Sequence, residues 1–246
     1  MPNTNDPTPP IKSPLGGTAS KAVVHRLLVV GGLAVALIAL LVLLFQNSPE
    51  ETESAADTAT ANPPAVDSDL IVWEDSHRLD DVPSSPVTFV EFLDFECEAC
   101  GAVYPAVEEL REEYEGEMTF VIRYFPLDGH PNSRQAAHAV EAAARQGELE
   151  GMYRLMFETQ EEWSHNEEPQ DEVFRGFAEE LGLDVEQWEA DYYSDDVAQR
   201  VQSDFEDAVA LGLQGTPSFF VNDEFIAPET LTDLTDPIDE ALSSDQ

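Results

Sequence analysis

Two cysteines are present, Cys97 and Cys100, joined in the unit Cys97-Glu98-Ala99-Cys100. The unit directly follows an apolar run, Val87-Thr88-Phe89-Val90-Glu91-Phe92-Leu93-Asp94-Phe95, which reads as a buried strand. Ala102 to Tyr114 reads as a helix. A Cys-x-x-Cys pair at a strand-to-helix junction places its first thiol at a helix N-terminus, where free N–H groups and the helix dipole favour the thiolate. The thiolate is the species that attacks disulfides, so the pair points to thiol–disulfide exchange. A thiolate zinc site usually draws on two such pairs. Here there is no second pair, and His25, His77, His130, His138 and His165 show no H-x3-5-H spacing. Half of a metal site and a structural disulfide remain as the competing readings of the pair.

The chain around this unit has 246 residues. Residues 27–45 form an unbroken run of apolar residues and glycine. At 1.5 Å per residue it would span ~28 Å, close to the hydrocarbon thickness of a bilayer. Lys12, Lys21 and Arg26 precede it and Glu50, Glu51 and Glu53 follow. The positive-inside rule then predicts a cytoplasmic N-terminus and an extracytoplasmic remainder at the cell membrane. The alternative is a cleaved signal peptide. Its apolar stretch is usually shorter, with a small-residue site close behind, whereas Ala59-Thr60-Ala61 lies far beyond this one. The expected organisation is a disordered cytoplasmic tail (1–26), a transmembrane helix (27–45), an acidic flexible linker (46–69) and a folded domain (70–246).

Beyond the apolar run the chain carries 50 acids against 8 bases. Such a surface repels phosphates, which excludes nucleic acid as a partner, and its plain meaning is solubility.

Within the domain, Leu70-Ile71-Val72-Trp73 is expected to be a short first strand, followed by the strand at 87–95 and another at Met118–Phe125. Two strands around one helix make a βαβ unit with a parallel pair. A helical block follows at about 132–212: Ser133 to Gln146, Glu148 to Trp163, Asp171 to Leu181, Asp184 to Tyr192 and Asp195 to Leu211, with Gly147, Gly182 and Gly212 as stops. Pro217–Val221 and Glu224–Ile226 flank an Asn222-Asp223 hairpin turn, and a last helix covers about 229–242.

This order is α/β. It resembles the DsbA-like thiol:disulfide oxidoreductases, a thioredoxin-like fold with an inserted helical subdomain, and the membrane-anchored bacterial branch in particular. Three segments carry the resemblance: Asp94-Phe95-Glu96-Cys97-Glu98-Ala99-Cys100, Phe125-Pro126-Leu127 with His130-Pro131-Asn132-Ser133, and Gly215-Thr216-Pro217-Ser218-Phe219-Phe220-Val221. The resemblance implies Cys97 as nucleophile, Cys100 as resolving thiol, and Pro217 as a cis-proline facing them with Thr216 before it. On the residues alone, Pro217 reads equally well as an ordinary strand-start proline. Glu91 shares its strand face with Leu93 and Phe95, an interior face if Phe95 is core; the other register would leave Glu91 a solvated charge. The resemblance implies that an acid at this position assists proton movement at the buried thiol. His130 reads as a turn histidine with structural hydrogen bonds. The dipeptide departs from the strongly oxidising pattern, Pro-His: Glu98 and Ala99 stand there, and Glu98 with Glu96, both expected to face solvent, should disfavour the Cys97 thiolate.

The expected function is therefore a membrane-tethered disulfide oxidase of moderate strength. It would act on cysteine pairs of exported proteins, need no cofactor, and be recycled by a membrane redox partner. An isomerase or reductase of the same fold is the alternative. A redox-inactive client-binding module would work unchanged with both cysteines replaced. A metal chaperone would bind soft metal through both.

Overall fold

The computed structural model describes residues 68–244. The expected tail, transmembrane helix and most of the linker lie outside the described residues. Among those described, no helix is long and apolar enough to cross a membrane.

A five-stranded mixed sheet has the order β1-β3-β2-β4-β5, with β1 at His77–Asp80, β2 at Thr88–Leu93, β3 at Thr119–Tyr124, β4 at Ser218–Val221 and β5 at Glu224–Ile226. β2 and β3 run parallel, with Glu91 opposite Ile122, and the crossover between them is helix α2, Glu98–Glu113. The other pairings are antiparallel. The β4–β5 hairpin turns at Asn222, whose φ of 54° lies in the left-handed region that asparagine tolerates.

The first element differs from the expected strand. Ser68–Ile71 is a short helix, α1. The carbonyls of Leu70 and Ile71 accept from the guanidinium of Arg123 at 3.1 and 2.7 Å, so a side chain satisfies them and no strand ladder is needed. The first strand is instead the polar His77–Asp80, with a register shift between Arg78 and Asp80. Four polar-rich residues carry no β-branched signal, which is why the sequence pattern passes over them.

Between β3 and β4 lie six helices: α3 (Ser133–Ala144), α4 (Leu149–Glu158), α5 (Gln160–Trp163), α6 (Asp171–Glu180), α7 (Val185–Tyr192) and α8 (Asp195–Ala210). Helix α9, Thr232–Ser244, follows β5. The single helix expected over 148–163 is broken at Thr159, whose hydroxyl donates to Leu155 O at 2.7 Å. Gln160, the first residue after the break, reaches the main chain of Phe95 and Cys97.

The sheet has two buried faces. Phe89 and Leu93 pack with Phe95, Cys100, the α2 residues Val107 and Leu110, and the helical block. On the other face Val90, Phe92, Val121 and Phe220 pack with Ala208 of α8 and Ile71 of α1. Arg123 is wholly buried in the sheet and paired with Asp204 at 2.8 Å and Asp207 at 2.7 Å. It also lies over the rings of Trp73 and Phe92. A buried charge persists only when its donors are used, and here carboxylates and carbonyls together take them.

Candidate active site

Helix α2 begins immediately after Cys97, four residues earlier than the sequence pattern suggests, and Cys97 is its N-cap residue. Its thiol is therefore set at the N-terminal end of the helix dipole. The turn that delivers it is closed by Cys97 N donating to Asp94 O at 3.1 Å. Both cysteines are free thiols; Cys97 is 6% exposed and Cys100 fully buried. Across the sheet, the Thr216–Pro217 peptide bond is cis, and Thr216 O accepts from Cys97 Sγ at 3.5 Å. Cys97, Cys100, Thr216 and Pro217, far apart in sequence, thus meet at one point.

The two thiols have opposite environments. A hydrogen bond from the Cys100 thiol, joined by the Thr216 side chain and the backbone N–H groups of Cys100 and Ala99, holds the Cys97 pKa at about 5 against the opposing effect of burial. Thr216 Oγ1 is buried and meets no hydrogen-bond partner of ordinary geometry among the described residues, so the direct bond between Cys97 and Thr216 is the one to the carbonyl. Burial pushes the Cys100 thiol well up, and the hydrogen bond it gives to Cys97 and the charge of Glu91 add to this. Glu91 occupies the interior face of β2. Burial raises its pKa to about 8, with smaller contributions from the charges of Glu108 and Cys97. Ala99 contributes its N–H, while its methyl group is exposed.

Glu98 faces solvent as expected, its side chain 73% exposed, and pairs with His165 Nε2 at 3.0 Å. Glu96 does not. It is fully buried, and its carboxylate accepts from Asn132 N at 2.6 Å and His165 N at 2.8 Å. The expectation that Glu96 is a solvated charge is corrected by these two backbone donors, which replace water around it.

Asp94 has a similar buried role. Its carboxylate accepts from Glu96 N and Leu127 N, both at 2.9 Å, and lies 2.6 Å from His130 Nδ1. The hydrogen bond to Asp94 is the main reason the His130 pKa rises to about 8. The segment Leu127–Asn132 therefore binds the segment Asp94–Cys97 through two carboxylates. Sequence reasoning named Glu96 only as a solvent-facing charge, and missed Asp94, His165 and Gln160 as parts of the site. The usable signal was the acid–x–acid spacing next to Cys97, since two carboxylates beside a motif require donors once that loop is buried.

The site lies between two grooves. One is apolar, lined by Leu211, Leu213, Thr216, Pro217, Phe220 and the half-exposed Phe225. The other is acidic, with Glu98, Glu158, Glu161 and Glu162 among its lining residues. No group of three or more metal-ligating side chains occurs among the described residues.

A thioredoxin family model matches residues 82–240, well over half of the chain. The chain belongs to the thioredoxin family. Its fold is that of the DsbA-like thiol–disulfide oxidoreductases. A thioredoxin-like oxidoreductase of Silicibacter pomeroyi is 29% identical, with 71% of this chain and 97% of that one aligned at a TM-score of 0.61. The thiol–disulfide exchange protein alpha-DsbA2 of Wolbachia pipientis, 22% identical, shares the fold at a TM-score of 0.60 over 70% of this chain and 90% of its own. BdbD of Bacillus subtilis, 20% identical, shares it at 0.59 over 68% and 93%. Among curated proteins, the Na(+)/H(+) antiporter NhaA 1 of Mycobacterium sp. strain KMS is 39% identical over 145 residues, 57% of this chain and 22% of the antiporter. The chain thus spans about a fifth of the length of such relatives.

Proposed function

We propose that this thioredoxin-family protein oxidises cysteine pairs in exported proteins through Cys97 and Cys100. The observation that carries the reading is the placement of the two thiols, Cys97 at the N-terminal end of α2 and bonded to Thr216 O, Cys100 fully buried in the core; the first is thereby held low and the second pushed up. In the oxidised protein Cys97 and Cys100 share the disulfide. A client thiolate attacks Cys97 Sγ, the Cys97–Cys100 bond breaks, and Cys100 leaves as a thiolate. Its pKa is high, so it takes a proton, and the neutral carboxyl of Glu91 near it is the source. The second client thiolate then attacks the client sulfur of the mixed disulfide and expels Cys97. The client entered as two thiolates and leaves as a disulfide, having given two electrons to the protein; the protein holds the Cys100 thiol, the Cys97 thiolate and the ionised Glu91, which regains its proton from solvent. A low-pKa thiol leaves faster, and a stabilised reduced form makes a stronger oxidant.

Thr216 and Pro217 would present the client chain to Cys97, with the apolar groove receiving the residues beside its cysteine. Glu98 would moderate the oxidant, since its negative charge lies near the thiolate. Its exposure and its pairing with His165 limit that effect to a few tenths of a kcal/mol by the usual measure of screened surface charges.

In a Cys100→Ser variant the Cys97 thiolate should attack client disulfides, expelling one client thiolate, and stay in mixed disulfides that a reductant releases, because Cys100 is no longer there to displace the client sulfur and close the Cys97–Cys100 bond. Full function of a Cys97→Ser, Cys100→Ser protein would overturn the reading in favour of a client-binding module. Soft-metal binding lost in that variant would favour a metal chaperone.

The proposed compartment rests on the sequence alone: residues 27–45 would anchor the domain outside the cytoplasm, and a membrane redox partner would reoxidise the pair. Protease added to intact spheroplasts should digest the domain. Protection of the domain would reverse the orientation.

A further inference from the structure

Gln160 opens the four-residue helix α5 and is buried beneath the redox loop. Its Nε2 donates to two main-chain oxygens, Phe95 O at 2.7 Å and Cys97 O at 2.9 Å, which uses both hydrogens of the amide nitrogen. Gly101 N donates to the same Cys97 oxygen at 3.0 Å, the opening bond of α2. Two donors on one carbonyl fix the plane of the Cys97–Glu98 peptide. That peptide leads directly into Ala99 and Cys100, whose N–H groups lie in the first turn of the helix that Cys97 caps and lower its pKa, although Sγ accepts no capping hydrogen bond of ordinary geometry. The amide also lies hard against α2: a Cβ at position 101 would stand 2.0 Å from Gln160 Oε1. Gly101 sits inside a helix, so glycine serves there by leaving room for this side chain rather than by unusual backbone freedom.

We propose that Gln160 is a positioning residue for the redox centre, locking the first turn of α2 so that the N–H groups of Ala99 and Cys100 keep their place at the helix end that Cys97 caps. It touches no reacting atom. It belongs to the helical block between β3 and β4, so one side chain ties that block to the thiol. The consequence is selective for one redox state. A hydrogen bond to a charged acceptor is roughly twice as strong as one to a neutral group. A loosened first turn therefore penalises the thiolate of the reduced protein more than the sulfur of the disulfide. A merely structural glutamine would lower the stability of both states alike and leave the potential where it was.

The inference rests on Cys97 being the exchanging thiol, and two variants test it. Gln160→Met keeps the length of the side chain and removes its donors. Gly101→Ala keeps Gln160 but drives its amide away, at a helix position where alanine is otherwise preferred to glycine. Each variant should become about tenfold less oxidising at equilibrium with glutathione, a shift of about 30 mV toward reducing. The midpoint of Cys97 alkylation should move up by about one pH unit. The double variant should shift no further than either single one, because both remove the same interaction. An unchanged potential and alkylation profile in Gln160→Met would overturn the proposal, as would additive shifts in the double variant. If Gln160→Met does not fold, Gly101→Ala decides by the same readings. A wild-type pair that does not equilibrate with glutathione at all would instead defeat the exchange reading.

Discussion

Limiting iodoacetamide should modify the reduced protein at Cys97 and spare Cys100, with half of the plateau rate reached near pH 5. With a pKa of about 5, Cys97 is mostly thiolate at pH 6. An unperturbed thiol of pKa about 8.5 is then only ~0.3% ionised, so Cys97 would stand roughly 300-fold nearer its own plateau. The plateau itself should be lower than that of a free cysteine, because nucleophilicity falls with pKa and Cys97 is largely buried. The profile and not the absolute rate is therefore the test. The hydrogen bond from Cys100 is the largest cause of the low value, so Cys100→Ala should move the midpoint upward. A wild-type midpoint near pH 8 would mean that the donors around Cys97 do not stabilise its thiolate, and the case for an oxidant would lose its basis. Peptide mapping of the labelled protein distinguishes the two cysteines.

The parts of this site that could be read in the sequence are those set by short spacing. Three residues of spacing between Cys97 and Cys100 put both on the first turn of a helix, whatever the rest of the fold does. Counting by two along β2 placed Glu91 with Leu93, and the structure buries both on the α2 face of the sheet. What could not be read is the set of partners supplied from a distance. Asp94, Glu96 and Arg123 are charged residues in a chain with 51 acids, where any one of them looks like solvated surface. Their burial is decided by donors and acceptors 33 to 84 positions away. Gln160 lies 63 residues beyond Cys97, just past a helix break at Thr159 that no residue pattern marked. The strand β1 was missed for a related reason. His77–Asp80 pairs with β3 through its backbone, while His77 bonds Glu141 and Asp80 bonds Arg111. Polar side chains with partners of their own can occupy a strand that no apolar alternation marks.

Glu91→Gln should make the protein more stable and a poorer exchanger. Burial, the largest cause, lifts the Glu91 pKa from 4.5 to about 8. The folded protein therefore holds a proton on Glu91 that the unfolded chain has released at neutral pH. Where the native state binds more protons than the unfolded state, stability falls as pH rises. Below pH 4.5 both states are protonated and Glu91 costs nothing on this account. Through the window from 4.5 to 8 the cost grows by about 1.4 kcal/mol per pH unit, reaching about 3 kcal/mol at pH 7, and it levels off above pH 8. The amide of the variant has no proton to lose, so wild type and variant should match in urea denaturation near pH 4 and separate steadily toward pH 8. Most of the slope should persist in the oxidised protein, because burial does not depend on the Cys97 thiolate. The catalytic effect should run the other way. Cys100 is expelled as a thiolate of raised pKa near this carboxyl, and an amide neither gives it a proton nor later accepts one. Equal stabilities of the two proteins across pH 4–8 would place Glu91 in contact with water and remove it from the mechanism. A stabilised variant that still exchanges disulfides at the wild-type rate would keep the burial and assign the proton to another group.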